Sequence, residues 1–284
     1  MTSESYITKL YFKKYFLILF PIAVLISTIG FILCFFVFQD NTTLCILTNI
    51  ITTLSIIISI AVPALLAYTD KIKGKKAFEI FRTEGFTCKF CDAYRKIYID
   101  KGNPFPLHVI MCASYYGKIS EHDTARILLN KIRNPKKLDS YSRFMYYLEM
   151  LSMCGKTGNW CKGEEVRKKN IGFLQNYVRK HKNNPELRVN MDIALALIDS
   201  AHGHYGDAFT LLNSGYKPKD KNDENFLNIL INAVYIYSLA KNDDNLSTAI
   251  INAETFLKNF TAFDFPWCKK YYEEQIVRAS QGKL

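Results

Sequence analysis

Charge is missing from two long stretches of this 284-residue chain: no Lys, Arg, Asp or Glu occurs between Tyr15 and Phe38 or between Leu44 and Tyr68. That absence excludes an ordinary soluble domain for the first quarter, although the mean hydropathy of -0.03 would suggest one. The average conceals two materials joined end to end. At about 1.5 Å per helical residue, both stretches exceed the roughly 30 Å hydrocarbon core of a bilayer, so transmembrane helices are expected over 15–38 and 44–68. The first has no small-x-small cleavage site behind it, and its apolar run outlasts the about 7 to 15 residues of a signal-peptide core. An uncleaved anchor is expected.

The connection 39–43 lacks basic residues and carries Asp40, whereas Lys9, Lys13 and Lys14 stand in the N-terminal segment 1–14. Lys71, Lys73, Lys75, Lys76 and Arg82 follow the second stretch. Lys and Arg near membrane ends are retained in the cytoplasm. The expectation is therefore a multi-pass cell-membrane protein with two spans, an external turn and both termini cytoplasmic. Tyr11, Tyr15 and Tyr68 supply interfacial aromatics.

Within the pair, Ala23, Ser27, Gly30 and Cys34 follow i, i+4, i+7, i+11 spacing, and Thr48, Thr52, Ser55 and Ser59 repeat it on the second helix. Small and weakly polar faces let helices approach in lipid, with hydroxyls bonding across or back to their own helix. These faces are expected to hold the hairpin together. The sharper alternative is a pore or an oligomer seam, but no ionisable residue marks a transport path. Asn49 is the most costly polar side chain in the pair.

Disulfides are not expected from the eight cysteines, since Cys34 and Cys45 fall in the membrane and the rest face a reducing compartment in this topology. Cys88 and Cys91 form the chain's CxxC, without the second pair or nearby His that a structural zinc requires. A redox role would need a βαβ context that the flanking residues do not provide. No cofactor or metal is expected.

All but three of the 37 basic and all but two of the 26 acidic side chains follow residue 68, a net charge of about +10 for that region. Lys71, Lys73, Lys75 and Lys76 are expected to meet anionic lipid headgroups at the membrane surface. Basic residues interleaved with aromatics are absent, which argues against nucleic acid. In the juxtamembrane segment 69–105, Phe78, Phe81, Cys88, Cys91, Tyr94 and Tyr98 take helical spacing, with Gly85 a bend and Gly102-Asn103-Pro104 a stop.

From residue 106 to 284 paired helical stretches recur at about 34 residues. Val109, Cys112, Ala113, Tyr116, Ala125 and Leu129 occupy relative positions 4, 7, 8, 11, 20 and 24 of the segment Pro106 to Lys137. This segment resembles a tetratricopeptide repeat. A second copy starts at Val189, with Leu195, Ala196, Ala208 and Leu212 in place and His204-Tyr205-Gly206-Asp207-Ala208 as its turn, although Asp192 and Asp199 stand where Trp-like and Tyr-like residues belong. A looser copy covers Asn225 to Phe260, and Tyr141 to His181 reads as a helix pair broken around Gly155-Lys156-Thr157-Gly158-Asn159. The resemblance implies an all-α chain: a transmembrane hairpin followed by an α-solenoid of degenerate helical hairpins, each needing its neighbour.

Catalytic signatures are absent. Gly155-Lys156-Thr157-Gly158 lacks the earlier glycine and preceding strand of a phosphate loop and reads as a plain turn. His202 and His204 read as turn residues rather than a metal pair. Trp160, Trp267, Tyr271 and Tyr272 read as core or capping contacts, with a concave peptide-binding face as the alternative. Asn245 and Asn259 match glycosylation acceptors but lie on the cytoplasmic side of this topology. The expected function is a non-catalytic membrane-anchored scaffold that recruits a protein or peptide partner at the cytoplasmic membrane face. An oligomeric pore or transporter-accessory subunit with a regulatory helical domain is the alternative, and an enzyme using Cys88 and Cys91 the least favoured.

Overall fold

A computed structural model describes residues 3–38, 41–100, 102, 104–213, 216–218 and 220–284, with the side chains of residues 3–11, 14, 70 and 71 outside the description. Gln39 and Asp40 of the expected turn, Asn103, and the side chains of Lys9, Tyr11, Lys14 and Lys71 thus lie outside the described residues. Every regular element is helical, and there is no strand among the described residues. The chain divides into two compact units, residues 1–76 and 77–284.

In the first unit, α1 (Ser3–Ile32) continues into a π-helical turn, Leu33–Val37, and α2 (Thr42–Glu84) follows. Tyr15–Val37 and Thr42–Glu84 are both long and apolar enough to cross a membrane. Their large side chains point outward: Phe31 is 66 % exposed, Phe36 73 % and Leu65 61 %. In water such a surface would drive association, whereas in hydrocarbon it matches its solvent and the helix satisfies its own backbone.

The second helix does not stop at Tyr68 but runs sixteen residues further. No proline follows Pro63 in this helix, and the polar residues after Tyr68 are good helix formers apart from Gly74 and the β-branched Thr69, Ile72, Ile80 and Thr83. Gly85 ends it, with φ at 74° and a Cβ position only 2.6 Å from Trp267 Cε3, so both the backbone and the space demand glycine. Thr87 then caps α3 (Cys88–Tyr98) by accepting from the Phe90 amide at 3.3 Å. The 69–105 stretch is therefore shared between the end of a long helix and a separate short one.

Eight helices follow in four pairs: α4 (Pro106–Lys118) with α5 (His122–Asn130), α6 (Ser140–Lys156) with α7 (Trp160–Lys180), α8 (Pro185–Ala201) with α9 (Tyr205–Asn213), and α10 (Glu224–Leu239) with α11 (Asp243–Asn259). A last helix, α12 (Cys268–Ser280), closes the series. Each pair is joined by three residues, and the middle one has positive φ in every case: Ser120, Gly158, Gly203 and Lys241. The following amide reaches back five residues, from Glu121 to the Tyr116 carbonyl (3.0 Å), Asn159 to Cys154 (2.8 Å), His204 to Asp199 (2.8 Å) and Asn242 to Tyr237 (3.2 Å). This is the Schellman closure, which satisfies the last carbonyls of each first helix. One turn geometry is thus used four times with different residues.

The turns set a common register, but its intervals exceed 34 residues throughout. Asp199 falls at the place of Tyr116 and Tyr237, and its carboxylate, 7 % exposed, receives the Arg167 guanidinium of α7 at 2.5 Å. The departure from an aromatic is a paired substitution rather than a loss of register. Asp192 is held on its own helix by Arg188 at 3.3 Å.

The first helix of each pair packs on the first helix of the next, α4 on α6, α6 on α8, α8 on α10 and α10 on α12. Gly155 lies inside α6 rather than in the turn, where a Cβ would come within 2.6 Å of Leu197 Cβ and 2.7 Å of its carbonyl carbon on α8. Small residues at Ala113, Ala125, Ala196, Ala208 and Ala253 are fully buried and let helices close in elsewhere. Ahead of the series, α3 docks on α4 through Tyr94 Oη and His108 Nδ1 at 2.6 Å and through Tyr116 donating to Asp92 at 2.5 Å.

Candidate functional site

In the apolar helix pair, the expected stripes coincide with the least exposed side. Ala23 and Gly30 are buried on α1 with Ser27 and Cys34 half-buried, and Ser59 is buried on α2 with Thr48, Thr52 and Ser55 half-buried. A Cβ on Gly30 would meet Thr52 Oγ1 at 2.8 Å and Thr48 Cγ2 at 3.0 Å, and the Cys34 and Cys45 thiols each face the other's carbonyl at 3.7 and 3.6 Å. The hydroxyls bond to their own helices: Ser27 to Ala23, Thr48 to Leu44, Thr52 to Thr48, Ser55 to Thr52 and Ser59 to Ile56. Each hydroxyl proton is thus satisfied within its own helix, as lipid demands, while the oxygen lone pairs stay on the stripe. Asn49 is exposed, away from the stripe. Lys73, Lys75 and Lys76 are exposed further along α2.

The CxxC is split by its helix. Cys88 is exposed, while Cys91 is buried and its thiol is pushed up to about 12 by burial, with Cys88 and Asp92 adding to the effect. Cys112, beside it, is likewise pushed up to about 12 by burial. A nucleophilic or ligating cysteine needs the opposite shift. Among the described residues no group of three or more His, Cys, Asp or Glu forms a metal cage.

The tryptophans separate. Trp160, 37 % exposed at the start of α7, lies flat on His202 with ring centroids 3.9 Å apart and planes 8° from parallel. His204 lies against His202 with centroids 4.2 Å apart and planes tilted by 38°. This shelf bridges the turns of two successive pairs and is edged by Glu164, Lys168 and Asp207. Trp267 instead packs with Phe81 and Phe86 at 5.1 and 5.6 Å.

That aromatic group forms one wall of a cavity of about 340 Å³ in the second unit. The other walls come from the first helices of the pairs, α4, α6, α8 and α10, from α5 and from α12. The chain's two ends close around it: Phe81 meets Phe265 at 5.4 Å, Arg278 reaches Ser120 at 3.4 Å, and His122 Nε2 lies 3.1 Å from the Leu284 oxygen. Lys118 sits with Nζ 4.6 Å from the Phe86 centroid.

Two clusters of charge face this space. Lys118, Glu149 and Lys156 form the first; Lys118 is exposed, and Glu149 and Lys156 are half-buried. Burial pushes the Glu149 carboxyl up, countered by the Ser114 hydroxyl and then Lys156 and Lys118. Burial also lowers the Lys156 ammonium to about 8, partly offset by Glu149 and reinforced by Lys118. His122 is lowered by burial and by Lys156. The second cluster is Glu224 and Asp264 beside Cys268, whose thiol is raised by burial and then by those two carboxylates. Tyr272 donates to Glu224 and is raised far above the usual phenol range, chiefly by burial.

Between the clusters stand Asn190, Asn228, Asn232 and Gln275. The sequence pointed to Trp267, Tyr271 and Tyr272 as an alternative concave binding face, but not to the charged and amide residues of this lining. The signal available was positional: Lys118 and Lys156 are each the last residue before a turn, and aligning the turns places them side by side. In comparisons with family models, curated proteins and solved structures, the chain matches none.

Proposed function

We propose that this protein is a membrane-anchored recruiting platform: the apolar hairpin fixes it to a cell membrane with both termini cytoplasmic, and the second unit captures a protein or peptide partner at that face without catalysis. The second unit is read as a short α-solenoid of tetratricopeptide-like hairpins. The fourfold turn geometry and the neighbour-to-neighbour packing of first helices support that reading, since such arrays stack units that cannot bury their apolar faces alone. Lys71, Lys73, Lys75 and Lys76 are assigned to anionic headgroups on the basis of charge and sequence position.

The observation that carries the recruiting role is the Trp160–His202–His204 shelf. A large aromatic left exposed yet held flat is already ordered for contact, and tryptophan is enriched among residues that dominate binding energy. The pore alternative is not favoured, because no ionisable residue lies on the stripe to mark a transport path.

The test is crosslinking in native membranes followed by purification of the full chain and of W160A. The reading expects a reproducible partner with the native chain and its loss with W160A while the helical content stays unchanged. Recovery of the protein alone, or capture indifferent to Trp160, would overturn it.

A further inference from the structure

The cavity differs from the open groove that stacked hairpins leave along their inner face. The last helix, α12, lies against α10 and contributes Tyr271, Tyr272 and Gln275 to the lining, and the Phe265–Trp267 segment seals onto Phe81 and Phe86. An extended segment threading through would need two open ends. A volume of about 340 Å³ with converging aromatic and polar groups has the dimensions of a small-ligand site.

Its charges have opposite signs in different places. Lys118 and Lys156 are the last residues of α4 and α6, whereas Glu224 is the first residue of α10 and Asp264 precedes α12. Since each pair reverses the chain twice, first helices run in one direction, and cations and carboxylates enter from opposite ends of those helices. Glu149 lies with the lysines, so two ammonium groups share one carboxyl there.

Lysine in a last turn and glutamate in a first turn ordinarily offset the helix dipole from solvent. That explanation suits Glu224, which is exposed. It covers Lys156 less well, since this half-buried ammonium lines the cavity and is lowered chiefly by burial. The amides add the third element. Asn190, Asn228 and Gln275 present both donors and acceptors to the interior, Asn232 gives one donor to the Asn228 carbonyl, and the buried Trp267 indole Nε1 has no acceptor in the protein.

We propose that this cavity is a binding site for a short peptide of a few residues with both ends free, its carboxylate between Lys118 and Lys156, its amino group toward Glu224 and Asp264, and its backbone amides on Asn190, Asn228 and Gln275. The Phe81, Phe86 and Trp267 wall takes an apolar side chain. The assignment is independent of the Trp160 shelf, so the two stand or fall separately.

The chain holds two tryptophans, so W160F leaves Trp267 as the sole indole reporter within the cavity wall. The full-length W160F protein in detergent is titrated with an equimolar pool of tryptophan-free tripeptides, with the same pool amidated or acetylated, and with free phenylalanine. A saturable change in Trp267 emission is expected with the free pool. Affinity should fall at least about tenfold on C-terminal amidation, and similarly for K156M with the unmodified pool. Acetylation should weaken binding less, because the acidic cluster is more exposed. Circular dichroism reports whether K156M folds, and the amidation arm needs no further variant. No response to the free pool, equal titration by free and amidated pools, or binding of phenylalanine as tight as that of the pool would each overturn the assignment.

Discussion

The two units treat polar groups in opposite ways. In the apolar helix pair every stripe hydroxyl donates to its own helix, so Ser27, Thr48, Thr52, Ser55 and Ser59 have their protons satisfied locally. In the second unit, Lys156, Glu149 and the cavity amides are half-buried and line one shared space. An unsatisfied donor is costly in lipid, so self-satisfied hydroxyls suit the anchoring role proposed for the hairpin. An aqueous domain can hold strained polar groups where a ligand will meet them, and such groups cluster at sites.

Glycine offers the largest contrast between them. In α6 a methyl at residue 155 would strike Leu197 Cβ and main chain, which cannot turn aside, whereas at residue 30 it would strike the ends of threonine side chains. G155A is expected to cost about 3 kcal/mol and G30A about 1 kcal/mol or less. Denaturation of the full-length protein in one detergent, followed by helicity, measures both. Equal costs would break the contrast.

The buried carboxylate comes next. R167M strands Asp199 and should cost about 2 kcal/mol, tempered by the partial exposure of Arg167. The double variant R167M/D199Y should recover most of that loss, because the equivalent turns at Tyr116 and Tyr237 carry an aromatic. Failure to recover would mean that the turns are not interchangeable. A smaller effect separates the cavity by pH. With Lys156 lowered from 10.5 to about 8, the unfolded chain binds the extra proton between those values, so its penalty is complete below 8 and fades as pH rises. Buried cysteines and tyrosines, raised by burial, destabilise over an overlapping range in both proteins and cancel in the difference. K156M should therefore exceed the native chain in stability most at neutral pH, with the gap closing toward pH 10.5. Smallest of all, T52V and S59A should each change stability by less than about 1 kcal/mol, as their hydroxyls bond only their own helix.

The two apolar helices were legible because charge-free runs need no tertiary context, and so were the helix pairs, because Gly155 to Asn159 and His204 to Ala208 punctuate the pattern locally. The boundary at Gly85 was visible as a bend, but the unbroken run of α2 past Tyr68 was not, since composition changes there while helix propensity does not. The 34-residue period failed because the links between pairs vary in length even though the turns within them do not. Asp199 misled the register since its partner, Arg167, belongs to the preceding pair. The cavity was illegible for a further reason: it exists only where α12 returns to Phe81 and Phe86, a closure over nearly two hundred residues that no local spacing encodes.

Topology is the claim on which the rest depends. A membrane-impermeant thiol reagent applied to intact cells tests it with internal controls, because Cys88 and Cys161 are exposed on the second unit and D40C adds a thiol to the inter-helix turn. The account predicts labelling of D40C in intact cells, and of Cys88 and Cys161 only after the membrane is opened. Labelling of Cys88 and Cys161 in intact cells, with D40C protected, would contradict it.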